Sequence, residues 1–155
     1  GRVVVVSGGD DHALSTICLT FDAANALAAA CVEVVVLDDA APVRGVGLST
    51  DGRAVFSAAG DGRVTAWRLA PDAELFAEGR EAWVRGTAAR SRTLARIATV
   101  DVALGDVRGL DVRRDDQEDV VLVYGDDGVA TAVFTRAALA LAESGARTAA
   151  RLSVC

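Results

Sequence analysis

The sequence contains no methionine and no lysine, and it has one histidine and three cysteines among 155 residues. Without methionine, Gly1 is not an unprocessed translation start, and residues 2–9 already read as a strand, so we expect a piece of a longer protein. All 16 basic residues are arginine, which indicates GC-rich coding bias rather than selection for guanidinium chemistry. A catalytic triad or metal site that uses histidine would have to use His12.

Aromatic residues make up only 5% of the chain although 52% of it is hydrophobic, so valine, alanine and leucine must fill the core. No run reaches the ~18 uninterrupted apolar residues that a membrane helix needs. The nearest run, residues 21–37, is interrupted by Asp22, Asn25 and Glu33. We therefore expect neither a membrane span nor a signal peptide.

The net charge of −6 argues against a nonspecific nucleic-acid-binding protein, because such proteins need a positive face. The net charge does not exclude a local basic patch on the surface. The cysteines Cys18, Cys31 and Cys155 are odd in number and form no CxxC motif, which favours reduced thiols in a cytoplasmic protein.

One hairpin pattern occurs three times. Residues 7–19 and 57–69 align without gaps, and each reads as an apolar strand, a Gly/Asp turn and a second strand. Residues 123–134 form a weaker third copy. The matching residues are Ser7 with Ser57, and Asp11 with Asp61 and Asp127. Repetition of one hairpin at this spacing is typical of a radial β architecture.

Strands separated by Gly/Asp turns, without regular alternation of strand and helix, predict an antiparallel all-β fold. We expect a single β-propeller fragment of about two and a half four-stranded blades. It comprises a truncated blade at 1–37, a blade at 43–102 and a last blade at 107–155. A closed propeller needs at least about four blades. The rest would therefore come from the missing part of the parent chain.

Three segments do not follow this alternation of short strands and turns. Residues 71–95 are too long for a hairpin turn and have helical composition after Pro71, which predicts an insertion on the propeller rim. Residues 136–147 favour a short C-terminal helix, with one more strand at 151–155. Residues 22–31 fit a short helix or a compact loop.

The segment 43–69 resembles a WD40 repeat. Residues 49–52 match the turn that follows the first strand in that family, and Trp67-Arg68 stands where the family has Trp-Asp. The family has a buried hydrogen-bonded chain across the blade, in which every polar group must be paired. Its members here would be Ser57, Asp61 and Trp67. The usual histidine is replaced by Asp39, so the chain would be incomplete.

Most of the chain is similar to the C-terminal repeats of the WD-repeat subunits that partner the tRNA wobble-ribose 2′-O-methyltransferase. The motifs run from the SGGDD hairpin at residue 7 through Trp67-Arg68 and TVDV at 99–102 to the hairpin at 123–134. This resemblance implies a SAM-dependent methyltransferase as catalytic partner and a propeller subunit that positions the tRNA anticodon loop. The 71–95 insertion and the tail after Arg136 depart from the family.

Three motifs have a catalytic or metal-binding alternative. The SGGDD segment lacks GxGxxG spacing and the lysine of a P-loop, and a strand rather than a helix follows it. His12 lies in a predicted turn, where a surface residue is expected rather than a general base. The aspartate pairs also lie in predicted turns and lack calcium-loop spacing. We therefore expect no catalytic residue, no metal site and no cofactor.

The candidate contact with RNA or a partner is an arginine group in and beside the insertion, together with one tryptophan. Arginine binds phosphate, and an aromatic ring stacks on a base. A solvated loop is the alternative, because nearby carboxylates, among them Glu78 and Glu81, offset part of the charge. The group comprises Arg80, Trp83, Arg85, Arg90, Arg92 and Arg96.

The leading hypothesis is a non-catalytic adaptor that docks a tRNA ribose methyltransferase and presents the anticodon loop. The alternative is a general WD40 protein–protein scaffold with no RNA role. A third reading is a small α/β enzyme that uses the Gly-rich turn at 8–9. A tRNA adaptor should carry a positive patch despite the net charge of −6.

Overall fold

The computed structural model describes residues 1–37, 41–102, 104–115, 118–135 and 151–154. Within these ranges strands predominate, so the expected all-β class is confirmed. The strands are β1 (Arg2–Gly8), β2 (Ala13–Phe21), β3 (Leu27–Val36), β4 (Val43–Leu48), β5 (Ala54–Ala59), β6 (Arg63–Leu69), β7 (Trp83–Thr87), β8 (Leu94–Asp101), β9 (Val107–Asp115), β10 (Glu118–Gly125), β11 (Gly128–Thr135) and β12 (Arg151–Val154). Helix α1 is Asp72–Leu75, and a 3-10 turn covers Ala88–Arg90.

The described strands form three four-stranded sheets. The first has the order β1-β2-β3-β7, the second β4-β5-β6-β8 and the third β9-β10-β11-β12. All neighbours are antiparallel except β3 and β7, which are parallel. The second and third sheets are thus meanders, while the first takes its fourth strand from the segment between β6 and β8.

The three hairpins expected from the sequence repeat are confirmed as the antiparallel pairs β1–β2, β5–β6 and β10–β11. Each turn has a positive φ at the same repeat position, which is 58° at His12, 89° at Gly62 and 133° at Gly128. Glycine enters this region without steric cost. This requirement explains the glycine in two of the three copies.

The second sheet is covered on both faces, which is why every residue of β5 is buried. One face packs Val55 and Trp67 against Leu14 and Val35 of the first sheet. The opposite face contributes Phe56 to a core shared with residues of the third sheet, Val107, Val121 and Val123. Strand residues alternate between faces, so a strand buried on both sides reads as a continuous apolar run rather than an alternating one.

Strands β4 and β9 approach closely where the second sheet meets the third. A Cβ atom added at Gly45 would lie 2.6 Å from the backbone nitrogen of Leu110, and one at Gly47 would lie 2.4 Å from a Val112 methyl group. No side chain fits at such distances. The two glycines of β4 therefore permit the contact between these sheets.

The segment 71–95 differs from the predicted rim insertion. Its helix is limited to the four residues of α1, and β7 pairs with β3, with Val34 opposite Arg85. A four-residue helix is too short to be stable by itself, whereas β3 offers an unpaired edge that a further strand can satisfy. The first sheet, which was predicted to end at residue 37, consequently has a fourth strand.

The remaining sequence expectations concern the connection between β2 and β3, the C-terminal part and Asp39. For residues 22–31, the structure has a tight turn in which Asp22 Oδ1 accepts the N–H groups of Ala24 and Ala26, and β3 begins at Leu27. The expected terminal strand is present as β12. The helix predicted for 136–147 and the position of Asp39 lie outside the described residues.

In the described part of the chain, no helix has the length and apolar character needed to cross a membrane.

Candidate functional site

Ser57 and Trp67 form one buried hydrogen bond in the second sheet. Trp67 is fully buried, and its Nε1 donates to Ser57 Oγ at 2.9 Å. The guanidinium of Arg96, on the neighbouring strand β8, lies 5.3 Å from the centre of the Trp67 ring. The exposed Arg96 therefore packs its guanidinium over a core side chain. It does not line the arginine cleft described below.

Asp61 does not join the Ser57–Trp67 bond. It lies in the exposed β5–β6 turn and accepts a hydrogen bond from Arg63 Nε at 2.8 Å. That bond lowers the pKa of the Asp61 carboxyl. The expectation of a buried chain through Asp61 was therefore wrong, because an arginine two residues along the strand binds its carboxylate at the surface.

The equivalent residues of the other two hairpins are also at the surface. Ser7 is exposed near the end of β1, and Asp11 is exposed in the β1–β2 turn. Asp127 is exposed at the β10–β11 turn, where its Oδ2 accepts the backbone N–H of Gly105 at 3.2 Å. Aspartate in such turns binds nearby backbone groups, and Asp127 does so here.

Arg80 is a structural anchor rather than a free contact residue. Its side chain is only 14% exposed and its Nη2 lies 3.3 Å from Glu33 Oε2, on a carboxylate that is 5% exposed. Arg80 also donates to the carbonyls of Glu74 and Leu75 at 3.0 and 3.1 Å. Glu33 Oε1 accepts the backbone N–H of Arg92 at 2.9 Å. Glu33 on β3 thus binds the chain both before β7, at Arg80, and after it, at Arg92.

A cleft of about 610 Å³ opens beside β7 and the 3-10 turn, and we call it the arginine cleft. Four of the predicted contact residues line it, namely Arg80, Arg85, Arg90 and Arg92. Two glutamates also line it. Its wall consists of Glu33, Arg80, Glu81, Val84, Arg85, Gly86, Thr87, Arg90 and Arg92. Glu33 is already bound by Arg80, so the remaining arginines leave an excess of positive charge.

Arg85 and Arg90 carry that excess. Both are exposed, and neither forms an ion pair with a carboxylate within the part of the chain that the structure describes. A guanidinium group offers paired donors that match phosphate or carboxylate oxygens. The cleft is therefore suited to an anionic group.

Trp83 lies at the start of β7, and 59% of its surface is exposed. Trp83 and Arg85 are two residues apart on one strand, so their side chains project from the same face. An exposed ring beside guanidinium groups can stack on a planar ligand. Trp83 is not among the residues that line the arginine cleft, and its link to the cleft is the strand face that it shares with Arg85.

A larger cavity of about 1100 Å³ shares Arg80 and Arg92 with the arginine cleft. Its arginines are nearly matched by the carboxylates of Asp51, Asp72 and Glu74, so it carries little excess charge. Among the described residues, no cluster of three or more His, Cys, Asp or Glu side chains could hold a metal ion.

Sequence reasoning missed Glu33, the residue that organises the cleft. The available signal was a single carboxylate within the apolar run 32–37, because a charge in a buried strand is rarely left unpaired. Its partner could not be found this way, since Arg80 lies far along the chain. Comparison of the sequence with protein-family models and with curated proteins gave no match.

Proposed function

We propose that this chain is a non-catalytic binding subunit whose arginine cleft holds a phosphate group of RNA. The observation that carries this proposal is the pair Arg85 and Arg90, two exposed guanidinium groups without an ion-pair partner among the described residues, lining one cleft. The overall charge of −6 would oppose nonspecific binding to nucleic acid. A local positive cleft permits binding of a defined segment despite that charge.

Trp83 supports RNA rather than a simple anion as the ligand. Single-stranded RNA is recognised by stacking its unpaired bases on aromatic side chains while arginines hold the backbone. With Trp83 exposed on the same face of β7 as Arg85, a base and its phosphate could be engaged together. A loop of RNA fits this arrangement better than a duplex, whose bases are stacked on each other.

We further propose that the three sheets are blades of a WD40-type β-propeller and that the subunit serves a tRNA 2′-O-ribose methyltransferase. Support for the blades comes from the stacking of the second sheet between the other two and from the Ser57–Trp67 bond. Support for the enzyme partner is the order of sequence motifs alone. In this arrangement the methyltransferase carries S-adenosylmethionine and the chemistry, and this chain positions the anticodon loop.

RNA binding is tested with a fluorescent single-stranded RNA matching an anticodon loop, titrated over a range of salt concentrations. We expect the variant with both Arg85→Ala and Arg90→Ala to bind about tenfold more weakly. The slope of the logarithm of the binding constant against the logarithm of salt concentration should decrease in magnitude by about 1 for each arginine removed. Arg113→Ala is the matched control, since Arg113 is exposed on β9 and pairs with Asp111. Equal affinity of the double variant and the control would reject the cleft as the RNA site.

The enzyme partner is tested by affinity purification of the protein from its own cells, followed by mass spectrometry. A stoichiometric SAM-dependent tRNA ribose methyltransferase supports the adaptor role. Recovery of an unrelated complex without that enzyme would reject it. The result is independent of the RNA titration, so the two parts of the proposal can fail separately.

A protein–protein scaffold is the second candidate, and the surface of the first sheet favours it. Val3 and Val5 on β1 are 46% and 42% exposed. Among the described strands, β1 pairs with β2 alone and forms an edge of the first sheet. An open strand edge with exposed apolar side chains is a surface on which another chain can add a strand. A complex recovered with no RNA binding in the titration would favour this candidate.

A further inference from the structure

Cys18 and Cys31 lie directly opposite each other on β2 and β3. Both are free thiols in the structure. Residues directly opposite on antiparallel strands have Cα atoms about 4.5 or 5.5 Å apart, and both spacings lie within the range of about 4.4 to 6.8 Å found for disulfides. The two cysteines can therefore be bridged without separating the strands.

The two thiols differ in their access to solvent. Cys18 is 3% exposed, whereas Cys31 is half-buried. Burial raises the pKa of the Cys18 thiol to about 11, and the adjacent Cys31 thiol adds to the shift. Since the thiolate is the reactive form, Cys18 reacts poorly with a reagent in solution, and Cys31 is the group that such a reagent reaches first.

We propose that Cys18 and Cys31 form a reversible dithiol–disulfide site that is oxidised by a small disulfide such as glutathione disulfide. The Cys31 thiolate attacks one sulfur of glutathione disulfide, which forms a mixed disulfide and releases one glutathione thiolate. The Cys18 thiol passes its proton to solvent and attacks the Cys31 sulfur, which forms the protein disulfide and releases a second glutathione. In total the protein loses two protons and two electrons, and one glutathione disulfide takes them up to become two glutathione molecules.

The bond should be reducible rather than permanent. Directly opposite Cβ atoms in a sheet are about 4.5–5.5 Å apart, whereas the Cβ atoms of a disulfide are about 3.8 Å apart. Closure therefore draws the two side chains together by roughly 1 Å. A bond formed under such strain is more easily reduced than an unstrained one.

The site lies next to the residues that hold the arginine cleft. On the same sheet face, the pair that follows Cys18–Cys31 is Thr16 opposite Glu33. Glu33 binds Arg80 and the backbone of Arg92. Oxidation would thus link β2 covalently to β3 two residues from Glu33. The expected effect is a local reduction of motion in the β2–β3 hairpin. The disulfide proposal does not depend on RNA binding.

The test uses the intact chain with Cys155→Ser, because Cys155 is the third thiol of the sequence and would compete for the oxidant. The folded protein is incubated with mixtures of reduced and oxidised glutathione and analysed by intact-mass spectrometry. We expect a loss of two hydrogen atoms that dithiothreitol reverses, together with slower amide hydrogen exchange in β2 and β3. Peptide mapping should place the bond between Cys18 and Cys31.

Two variants serve as matched controls in the same background, Cys18→Ala and Cys31→Ala. Cys18→Ala should stop at the glutathione adduct of Cys31, and Cys31→Ala should react slowly or not at all. A stable glutathione adduct on the Cys155→Ser protein, or an unchanged mass, would overturn the proposal. The decisive measurement uses only Cys155→Ser, so it stands even where a buried alanine variant folds poorly.

Discussion

The carboxylate of Glu33 lies 3.3 Å from Arg80 Nη2 and also accepts the backbone N–H of Arg92 at 2.9 Å. One buried side chain of β3 therefore fixes residues on both sides of β7. Glu33 lies opposite Val84 in the parallel pairing of β3 with β7 and also lines the arginine cleft.

We expect Glu33→Gln to destabilise the protein by about 3 kcal/mol, because a mostly buried Arg80 would lose its counter-charge while the volume stays the same. Urea denaturation of the variant measures this loss. Asp10→Asn is the control, since Asp10 pairs with Arg44 at the surface, where the side chain of Asp10 is 81% exposed. The control should change stability by less than about 1 kcal/mol. Equal losses in both variants would contradict a structural role for Glu33.

Ser57→Ala should cost about 2 kcal/mol, because the buried Trp67 Nε1 would lose its acceptor. In a Trp67→Phe background the same change should cost much less, which gives a coupling energy of about 1 kcal/mol in a double-mutant cycle. The control Ser7→Ala removes the repeat-equivalent hydroxyl, which is exposed, and should shift stability by about 0.5 kcal/mol or less. Additive losses would show that the Ser57–Trp67 bond contributes nothing.

Gly62→Ala should destabilise the protein more than Gly52→Ala. Both glycines have positive φ, 89° and 70°, which costs an alanine about 1 kcal/mol or more. At Gly62 the new Cβ atom would also lie 3.0 Å from the carbonyl oxygen of Leu104, whereas at Gly52 nothing lies within 4 Å. Thermal unfolding of the two variants isolates the second effect. A similar decrease in Tm for both would mean that the Leu104 contact relaxes freely.

Folding stability in reducing buffer should decline as the pH rises from about 9 to about 11. Burial raises the pKa of the Cys18 thiol from 9.0 to about 11, with Cys31 adding to the shift. In this window the unfolded chain has lost the Cys18 proton while the folded chain keeps it, so rising pH favours unfolding. Urea denaturation at several pH values should show a shallower decline for Cys18→Ala. An identical pH dependence would contradict the shift.

Much of the strand pattern could be read from the sequence. The hairpins β1–β2 and β5–β6 follow from apolar runs on either side of a short Gly/Asp turn, and the positive φ at Gly62 fits its glycine. These are local features, since the alternation of side chains and the turn residues act over a few positions. The strand β7 was missed because Trp83–Thr87 shows no strong apolar pattern.

The candidate site was found only in part. Arg80, Arg85, Arg90 and Arg92 were identified and do line one cleft, but the sequence did not distinguish the buried anchor Arg80 from the others. Arg96 was assigned to the same group and instead covers Trp67. Burial and ion pairing depend on residues distant in sequence. The charge pattern of residues 71–95 therefore does not show which arginine is buried and paired.

Local periodicity, turn chemistry and composition were enough to predict the all-β class, the repeated hairpins and the concentration of arginine between β6 and β8. Three features became visible in the packed chain alone: β7 pairs with β3, Glu33 binds Arg80, and Asp61 stays at the surface with Arg63. The physical reason is that an open strand edge and a buried charge are satisfied by whichever partner the packed chain brings within reach.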